Sequence, residues 1–134
     1  GFKANASAED LAQAMIETIR EIMLIRKAAG ADINAFINFA VTDGFHTIAT
    51  RFATLESERP ASLFFAKGEL AQQQGKVDII VSDVPEHQSI MICSEPFTEE
   101  DEQWVKVRRN HIVIAYGNVS VMQMPIDLPY QINL

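Results

Sequence analysis

The chain has 134 residues, of which 48% are hydrophobic and 22% are charged, and its formal net charge is −7. This length suits one domain and is too short for two ordinary ones, and the composition is that of a globular rather than a disordered chain. The acidic balance argues against nucleic acid and membrane lipid as partners, because both demand a basic surface, and no stretch approaches the roughly 18 to 20 apolar residues of a membrane span.

The first predicted element is an amphipathic helix over about residues 8 to 29. Ser7 followed by Asp10 resembles a capping box, and Gly30 suits the position just after the last helical turn. The predicted buried stripe consists of apolar residues at helical spacing, namely Leu11, Met15, Ile19, Ile22 and Ile25.

The hydrophobic period changes to two after the helix, which predicts strands. Residues 36–41 read as a strand, Asp43 and Gly44 as a tight turn, and residues 46–52 as the returning strand. A loop is expected over residues 54–60.

The middle of the chain predicts short strands joined by exposed segments. Residues 62–66 are expected to form a strand and residues 68–76, which are rich in glutamine, an exposed connection. Two further strands, 77–81 and 89–93, flank a turn at Pro85.

The last part of the chain predicts a helical turn and a hairpin. Thr98 could cap a short acidic helical turn that ends near Trp104. Residues 111–116 and 119–124 are rich in β-branched residues and surround Gly117-Asn118, which predicts a hairpin that ends at Pro125 and Pro129.

One helix followed by six to eight strands predicts an α+β fold with a mostly antiparallel sheet. The strand over 36–41 is apolar on both faces, so it needs two covering layers, while the chain supplies one long helix. The sequence also begins with Gly1 rather than Met. We therefore expect residues 1–134 to be a processed chain or part of something longer.

Candidates for catalytic chemistry are few. Cys93 ends an apolar strand beside Glu95, whose charge would raise a thiol pKa, so we interpret this cysteine as a packing residue. One cysteine excludes an internal disulfide, and the three histidines show no ligand-like spacing, so neither a metal nor a cofactor is predicted. The expected compartment is the cytosol.

Several polar residues have ordinary structural explanations. The acidic run over 99–102 lacks the alternating oxygen ligands of a calcium loop, and Asp43 suits a turn. Ser94 and Glu95 leave two alternatives open, because polar groups at the end of a buried strand either serve the structure or line a pocket.

Taken in order and spacing, five stretches resemble the later half of class II glutamine amidotransferase domains, which are N-terminal-nucleophile (Ntn) hydrolases. The closest branch is the γ-glutamyl one, which contains the fungal amidotransferase subunit of glutathione degradation and the γ-glutamyl hydrolase of ergothioneine synthesis. The matching stretches are residues 15–19, INFAVTDG (37–44) with IATRF (48–52), PASLFFAKG (60–68), CSEPFT (93–98) with Trp104, and RNHIVIAYGNVSVMQMPI (109–126).

The resemblance implies a four-layer αββα sandwich and hydrolysis of γ-glutamyl amide bonds of a small molecule by a cysteine at the start of the mature chain. That cysteine, the oxyanion hole and the glutamyl-binding residues belong to the first half of the family domain and match nothing here. The resemblance therefore implies a companion segment that carries them, a small γ-glutamyl substrate, and inactivity of this chain alone. It places Ser94 and Glu95 at the pocket. The alternative interpretation is a non-catalytic remnant or interaction module that keeps half of the sandwich, and either form could assemble into homo- or hetero-oligomers.

Overall fold

One helix and nine strands make up the regular structure of residues 6–31, 34–54 and 61–128, which the computed structural model describes. In chain order they are α1 (Ala8–Ala28), β1 (Phe36–Ile37), β2 (Ala40–Thr42), β3 (Thr47–Ala53), β4 (Phe64–Gln73), β5 (Lys76–Ile80), β6 (Ser89–Cys93), β7 (Val105–Lys106), β8 (His111–Ala115) and β9 (Val121–Pro125). The prediction of an α+β fold with antiparallel strands is confirmed. In these ranges, no helix has both the length and the apolar composition needed to cross a membrane.

Both ends of α1 form as the sequence predicts. The Ser7 hydroxyl accepts a hydrogen bond from the Asp10 N–H (3.1 Å), and the Asp10 carboxylate accepts one from the Ser7 N–H (3.0 Å). At the other end Gly30 has a φ of +64°, which an L-residue with a side chain adopts only with strain.

The buried face of α1 differs from the predicted stripe at its C-terminal end. Leu11, Ile16, Ile19 and Met23 are buried, whereas Ile25 is 66% exposed. A helix turns by 100° per residue, so Ile25 lies about 200° from Met23 and faces away from the sheet.

The first sheet lies under α1. Its strands have the order β1-β3-β8-β9, β2 also pairs with β3, and all pairs are antiparallel. The core between this sheet and the helix contains the buried helix residues together with Ile37, Ile48, Phe52, Ile112, Ile114 and Ile126.

The predicted strand over 36–41 is divided into β1 and β2 by Thr50. The Thr50 hydroxyl accepts from the Phe39 N–H (2.9 Å) and donates to the Ile37 carbonyl (3.0 Å), so it replaces the ladder bond that a continuous strand would make. Thr50 is fully buried, and its polar group is satisfied there. The pairing register with β3 is the same on both sides of this break.

The second sheet has the order β5-β4-β6, and β7 also pairs with β4. The prediction of a short strand over 62–66 and an exposed connection over 68–76 is wrong, because β4 continues through Gln73 and forms a hairpin with β5. The hairpin turn consists of Gln74 (φ +52°) and Gly75 (φ +79°), and two residues with positive φ match the twist of the paired strands.

The two sheets pack face to face. Ala49, Leu63, Val107 and Val113 are buried between them. The outer face of the second sheet carries a smaller cluster of Ala66, Ile79 and Trp104. The described residues therefore form a helix, a sheet and a second sheet, and the second helical layer of a four-layer sandwich stays a prediction.

Of the remaining predictions, one is wrong, one is confirmed, and the others lie largely outside the described residues. Thr98 does not cap the acidic turn, since its hydroxyl accepts from the Trp104 indole N–H (2.8 Å), and only a 3₁₀ turn forms at Asp101–Gln103. The C-terminal hairpin is confirmed as β8 and β9, with one further bond beyond Pro125, from the Ile126 N–H to the Asn110 carbonyl (2.7 Å). The loop predicted over 54–60 lies almost entirely outside the described residues, as does Pro129.

Candidate functional site

An open cleft of about 310 Å³ lies between the two sheets at one side of the sandwich. Apolar side chains form most of its wall, and hydroxyl and amide groups lie among them. The lining residues are Asn38, Phe39, Ala40, Thr47, Ala49, Thr50, Leu63, Ile90, Ile92, Cys93, Ser94 and Ala115.

Of the two predicted site residues, Ser94 lines this cleft and Glu95 follows it in the chain. Glu95 Oε1 accepts a hydrogen bond from the Ser62 hydroxyl (2.7 Å), so the segment before β4 holds the carboxylate in place. A role of Ser94 and Glu95 in lining a substrate pocket stays a prediction.

The segment that carries Ser62 is fixed by two side chains from the first sheet. Asn38 Nδ2 donates to the Ala61 carbonyl (3.3 Å), and Arg51 Nε donates to the same oxygen (3.1 Å). Arg51 Nη1 also donates to the Val107 carbonyl (2.8 Å). Hydrogen bonds thus tie together the first sheet, the entrance to β4 and the approach to β8.

Cys93 is half-buried at the end of β6. It packs beside Phe64 and Met91 against the cluster on the outer face of the second sheet. Burial raises the pKa of the thiol, which lowers the thiolate fraction at neutral pH. This surrounding is compatible with the interpretation of Cys93 as a packing residue.

The histidines are engaged elsewhere. His46 Nδ1 lies 3.0 Å from Asp43 Oδ2, His87 Nδ1 lies 3.5 Å from Glu69 Oε2, and His111 Nδ1 donates to the Arg109 carbonyl (2.7 Å). Over the residues that the structure describes, no three His, Cys, Asp or Glu side chains gather as metal ligands would.

Asp43 forms a turn, as predicted. Its Oδ1 accepts from the N–H groups of Phe45 (2.8 Å) and His46 (2.7 Å). The hydrogen bond from the His46 side chain, followed by these two backbone bonds, holds the pKa of Asp43 well below its usual range.

Among the described residues that line the cleft, no nucleophile lies next to a matched base. Thr47 and Ser94 contribute hydroxyl groups to its wall, while the Asn38 amide N–H is engaged with the Ala61 carbonyl.

The contributions of Asn38, Arg51 and Ser62 did not follow from the sequence analysis. Asn38 gave a weak signal, because it is the one polar residue in the apolar run from 36 to 41. Ser62 and Glu95 are 33 residues apart, and no local pattern announces their contact.

Comparison with known proteins gives one informative match. The chain is similar to the probable glutamine amidotransferase DUG3 of Saccharomyces cerevisiae, with 32% identity over 126 residues. The alignment covers 90% of this chain and 35% of the yeast protein, so the chain spans about a third of that relative's length. No protein-family model matches the chain.

Proposed function

We propose that this chain is the C-terminal portion of a class II glutamine amidotransferase domain, and that the complete domain hydrolyses γ-glutamyl amide bonds of a small molecule. The observation that carries the proposal is the 32% identity to the yeast amidotransferase, which extends over 90% of the chain. An antiparallel two-sheet sandwich with a cleft between its sheets is compatible with this assignment.

The reaction uses a cysteine that is not in this chain. The thiolate of a companion segment attacks the γ-carbonyl carbon, and an oxyanion hole on that segment binds the resulting oxyanion. The carbon–nitrogen bond breaks, the amine leaves with a proton, and a thioester remains. Water then attacks the thioester and releases glutamate and the free thiol.

This chain contributes the framework and one wall of the pocket. Ser94 lines the cleft, and the carboxylate of the next residue, Glu95, accepts a hydrogen bond from Ser62, which supports a place for Glu95 at the rim of the pocket. A carboxylate at the rim suits the α-ammonium group of a glutamyl substrate. The substrates that fit are glutamine, glutathione or another γ-glutamyl conjugate, in a cytoplasmic role related to glutathione metabolism.

The companion segment also completes the sandwich. In the described residues one face of the first sheet is covered by α1, whereas the outer face of the second sheet carries only a small cluster and exposed residues such as Leu70 and Val77. A helical layer on that face would give the four-layer arrangement.

The proposal is tested by reconstitution. The chain is mixed with the polypeptide encoded upstream of Gly1 in the source gene, and glutamate release from glutamine and from glutathione is measured. We expect the chain alone to be inactive, the mixture to be active, and Cys93→Ser to leave that activity unchanged. Turnover by the chain alone that Cys93→Ser abolishes would overturn the assignment.

The site residues are tested in the active mixture. Glu95→Gln removes the charge, so we expect a rise in KM of about tenfold, which corresponds to the loss of a charge-assisted contact. Glu102→Gln, in the exposed acidic run, is the matched control and is expected to have no effect. If the chain binds the companion but the mixture hydrolyses neither substrate, the result would favour the alternative, in which the chain is a non-catalytic interaction module.

A further inference from the structure

The two edges of the second sheet differ in how their backbone groups are satisfied. On β5, the Ile79 N–H donates to Asp78 Oδ1 (2.8 Å), and the Ile79 carbonyl accepts from Gln103 Nε2 (2.8 Å). Side chains thus occupy both groups of Ile79. This protection covers Ile79 and makes that position of the edge a poor template for another strand, while Val77, the other outward-facing residue of β5, has no such bond among the described residues.

The hydrogen bonds of Ile79 also show to which side each residue of the second sheet directs its backbone N–H and C=O groups. In an antiparallel ladder, successive residues direct their N–H and C=O groups to opposite sides. Because Ile79 directs both groups away from β4, its neighbours Asp78 and Ile80 bond to Ala71 and Glu69. The odd-numbered residues of β4 therefore face β5 and β7, in agreement with the bond from the Val107 N–H to the Leu63 carbonyl (2.8 Å).

It follows that the even-numbered residues of β4 bond to β6. Their partners on β6 are Ser89, Met91 and Cys93. Ile90 and Ile92 therefore direct their N–H and C=O groups away from the sheet. Across 6–31, 34–54 and 61–128, no strand or side chain bonds to those groups, in contrast to Ile79 on the opposite edge.

A groove follows this open edge along its full length. The 310 Å³ cleft borders β6 from Ile90 to Ser94, and a second cleft of about 290 Å³ borders it from Gln88 to Ile90. The two clefts share Thr47, Ile90 and Ala115, so they adjoin each other along this edge, and we refer to them together as the groove of β6. Five residues of strand extend over about 17 Å.

The first cleft is mostly apolar, whereas polar residues such as Gln88 and Ser89 lie among the apolar residues of the second. Ile90 lines both clefts and Ile92 lines the first, where it also packs against the core between the sheets. Phe39, which lines the first cleft, is 41% exposed, and Phe45, which lines the second, is 79% exposed. An occupant must therefore satisfy backbone groups and cover apolar side chains at the same time, which an extended polypeptide does.

We propose that β6 is a docking edge, to which an extended strand of the companion segment adds by backbone hydrogen bonds to Ile90 and Ile92, with apolar side chains at alternate positions in the groove. The companion is the occupant because the groove is continuous with the candidate site, where the proposed function needs its cysteine. Volumes of about 310 and 290 Å³ admit the side chains of one segment. The inference rests on the proposed function for the identity of that segment.

Amide hydrogen exchange tests the backbone bonds directly. The isotopically labelled chain is mixed with the separately made polypeptide encoded upstream of Gly1. In the complex we expect the amides of Ile90 and Ile92 to exchange at least about 100-fold more slowly than that of Val77, whose N–H points outward on the opposite edge.

A proline scan separates backbone pairing from side-chain contact. Ile90→Pro removes an outward N–H that β4 does not use, so we expect the sheet to survive and the companion's Kd to rise at least about tenfold above that of Ile90→Ala. Val77→Pro makes the same change on the opposite edge and is expected to leave the Kd unchanged.

The outcomes distinguish the two proposals. A complex that is active while Ile90 and Ile92 exchange as fast as Val77 overturns the docking edge and leaves the proposed function standing. Failure of the companion to bind, together with an inactive mixture, overturns both. Protection of Ile90 and Ile92 through association of the chain's own copies, which addition of the companion neither increases nor replaces, shows that the occupant is a second copy and overturns the assignment to the companion.

Discussion

Thr50 shows how one side chain sets the shape of the candidate site. Its hydroxyl bridges the end of β1 and the start of β2, and the residues between them, Asn38 and Phe39, line the cleft. A valine at this position would keep the shape but could neither accept from Phe39 nor donate to Ile37. A buried N–H and a buried carbonyl would then lose their partner.

We therefore expect Thr50→Val to lower the free energy of unfolding by about 1–3 kcal/mol, the cost of leaving buried polar groups unsatisfied. The control is Thr47→Val, because the Thr47 hydroxyl makes no hydrogen bond in the described part of the chain, and its effect should stay within about 0.5 kcal/mol. Urea unfolding at low protein concentration measures both. Equal effects of the two substitutions would contradict this account of Thr50.

Cys93 provides a second test at the residue scale. Its side chain is half-buried and burial raises the pKa of the thiol, so both access and thiolate fraction are reduced in the folded chain. We expect a thiol reagent to label the folded chain at least about tenfold more slowly than the urea-unfolded chain at the same pH. Equal rates would mean that Cys93 is open to solvent and that our description of the end of β6 is wrong.

At the scale of elements, the turn between β2 and β3 depends on a charge. The pKa of Asp43 is lowered in the folded chain, first by the His46 side chain and then by the N–H groups of His46 and Phe45. A carboxyl with a lowered folded-state pKa contributes stability above its unfolded pKa. That contribution is lost as the pH falls below about 4 toward the folded-state value.

Asp43→Asn keeps an oxygen that can accept from the backbone but removes the charge. We expect the variant to be less stable at neutral pH and to lose less stability than the parent chain when the pH falls below about 4. Thermal unfolding across a pH series gives both curves. Parallel curves for the two proteins would show that the charge of Asp43 does not support the turn.

The elements that the sequence predicted well are those defined by local signals. Ser7, Asp10 and Gly30 fix the ends of α1, and the Asp43-Gly44 and Gly117-Asn118 pairs mark the two hairpins of the first sheet. The errors arose where distant contacts decide. The strand β4 runs through glutamines because β5 pairs with it, and Thr50 divides a continuous apolar run from across the sheet.

The candidate site was only partly predictable for the same reason. Ser94 was placed at a pocket by the resemblance, and it lines the cleft between the sheets, while its role in binding a substrate stays a prediction. Asn38, Thr47 and Leu63 reach the cleft from other strands, and their meeting depends on how the strands divide into two sheets. Alternation of polar and apolar residues shows which side chains of a strand share a face. It does not show which of the two sheets the strand joins.

At the scale of the whole molecule, the large apolar side chains of the strands differ in how far they are covered. Ile37 and Ile48 are buried under the helix, and Phe64 and Phe65 are half-buried in the second sheet. Phe36 is 50% exposed and Phe39 is 41% exposed. One helix thus covers one face of one sheet, and the uncovered apolar residues include those beside the groove of β6.

We expect the chain alone to self-associate through these uncovered residues and the complex with its companion to stay soluble. Each large apolar side chain left in water forgoes roughly 1.5–3 kcal/mol, so burying Phe36, Phe39 and Phe45 would recover a large share of the 5–15 kcal/mol stability that is usual for a domain. Sedimentation velocity over a range of concentrations, with thermal unfolding of the same samples, measures the effect. Phe45→Ser replaces the most exposed of these three side chains with a polar one and should weaken self-association. A chain that sediments as a monomer at all concentrations and unfolds in one sharp transition would show that these 134 residues need no companion to close their core.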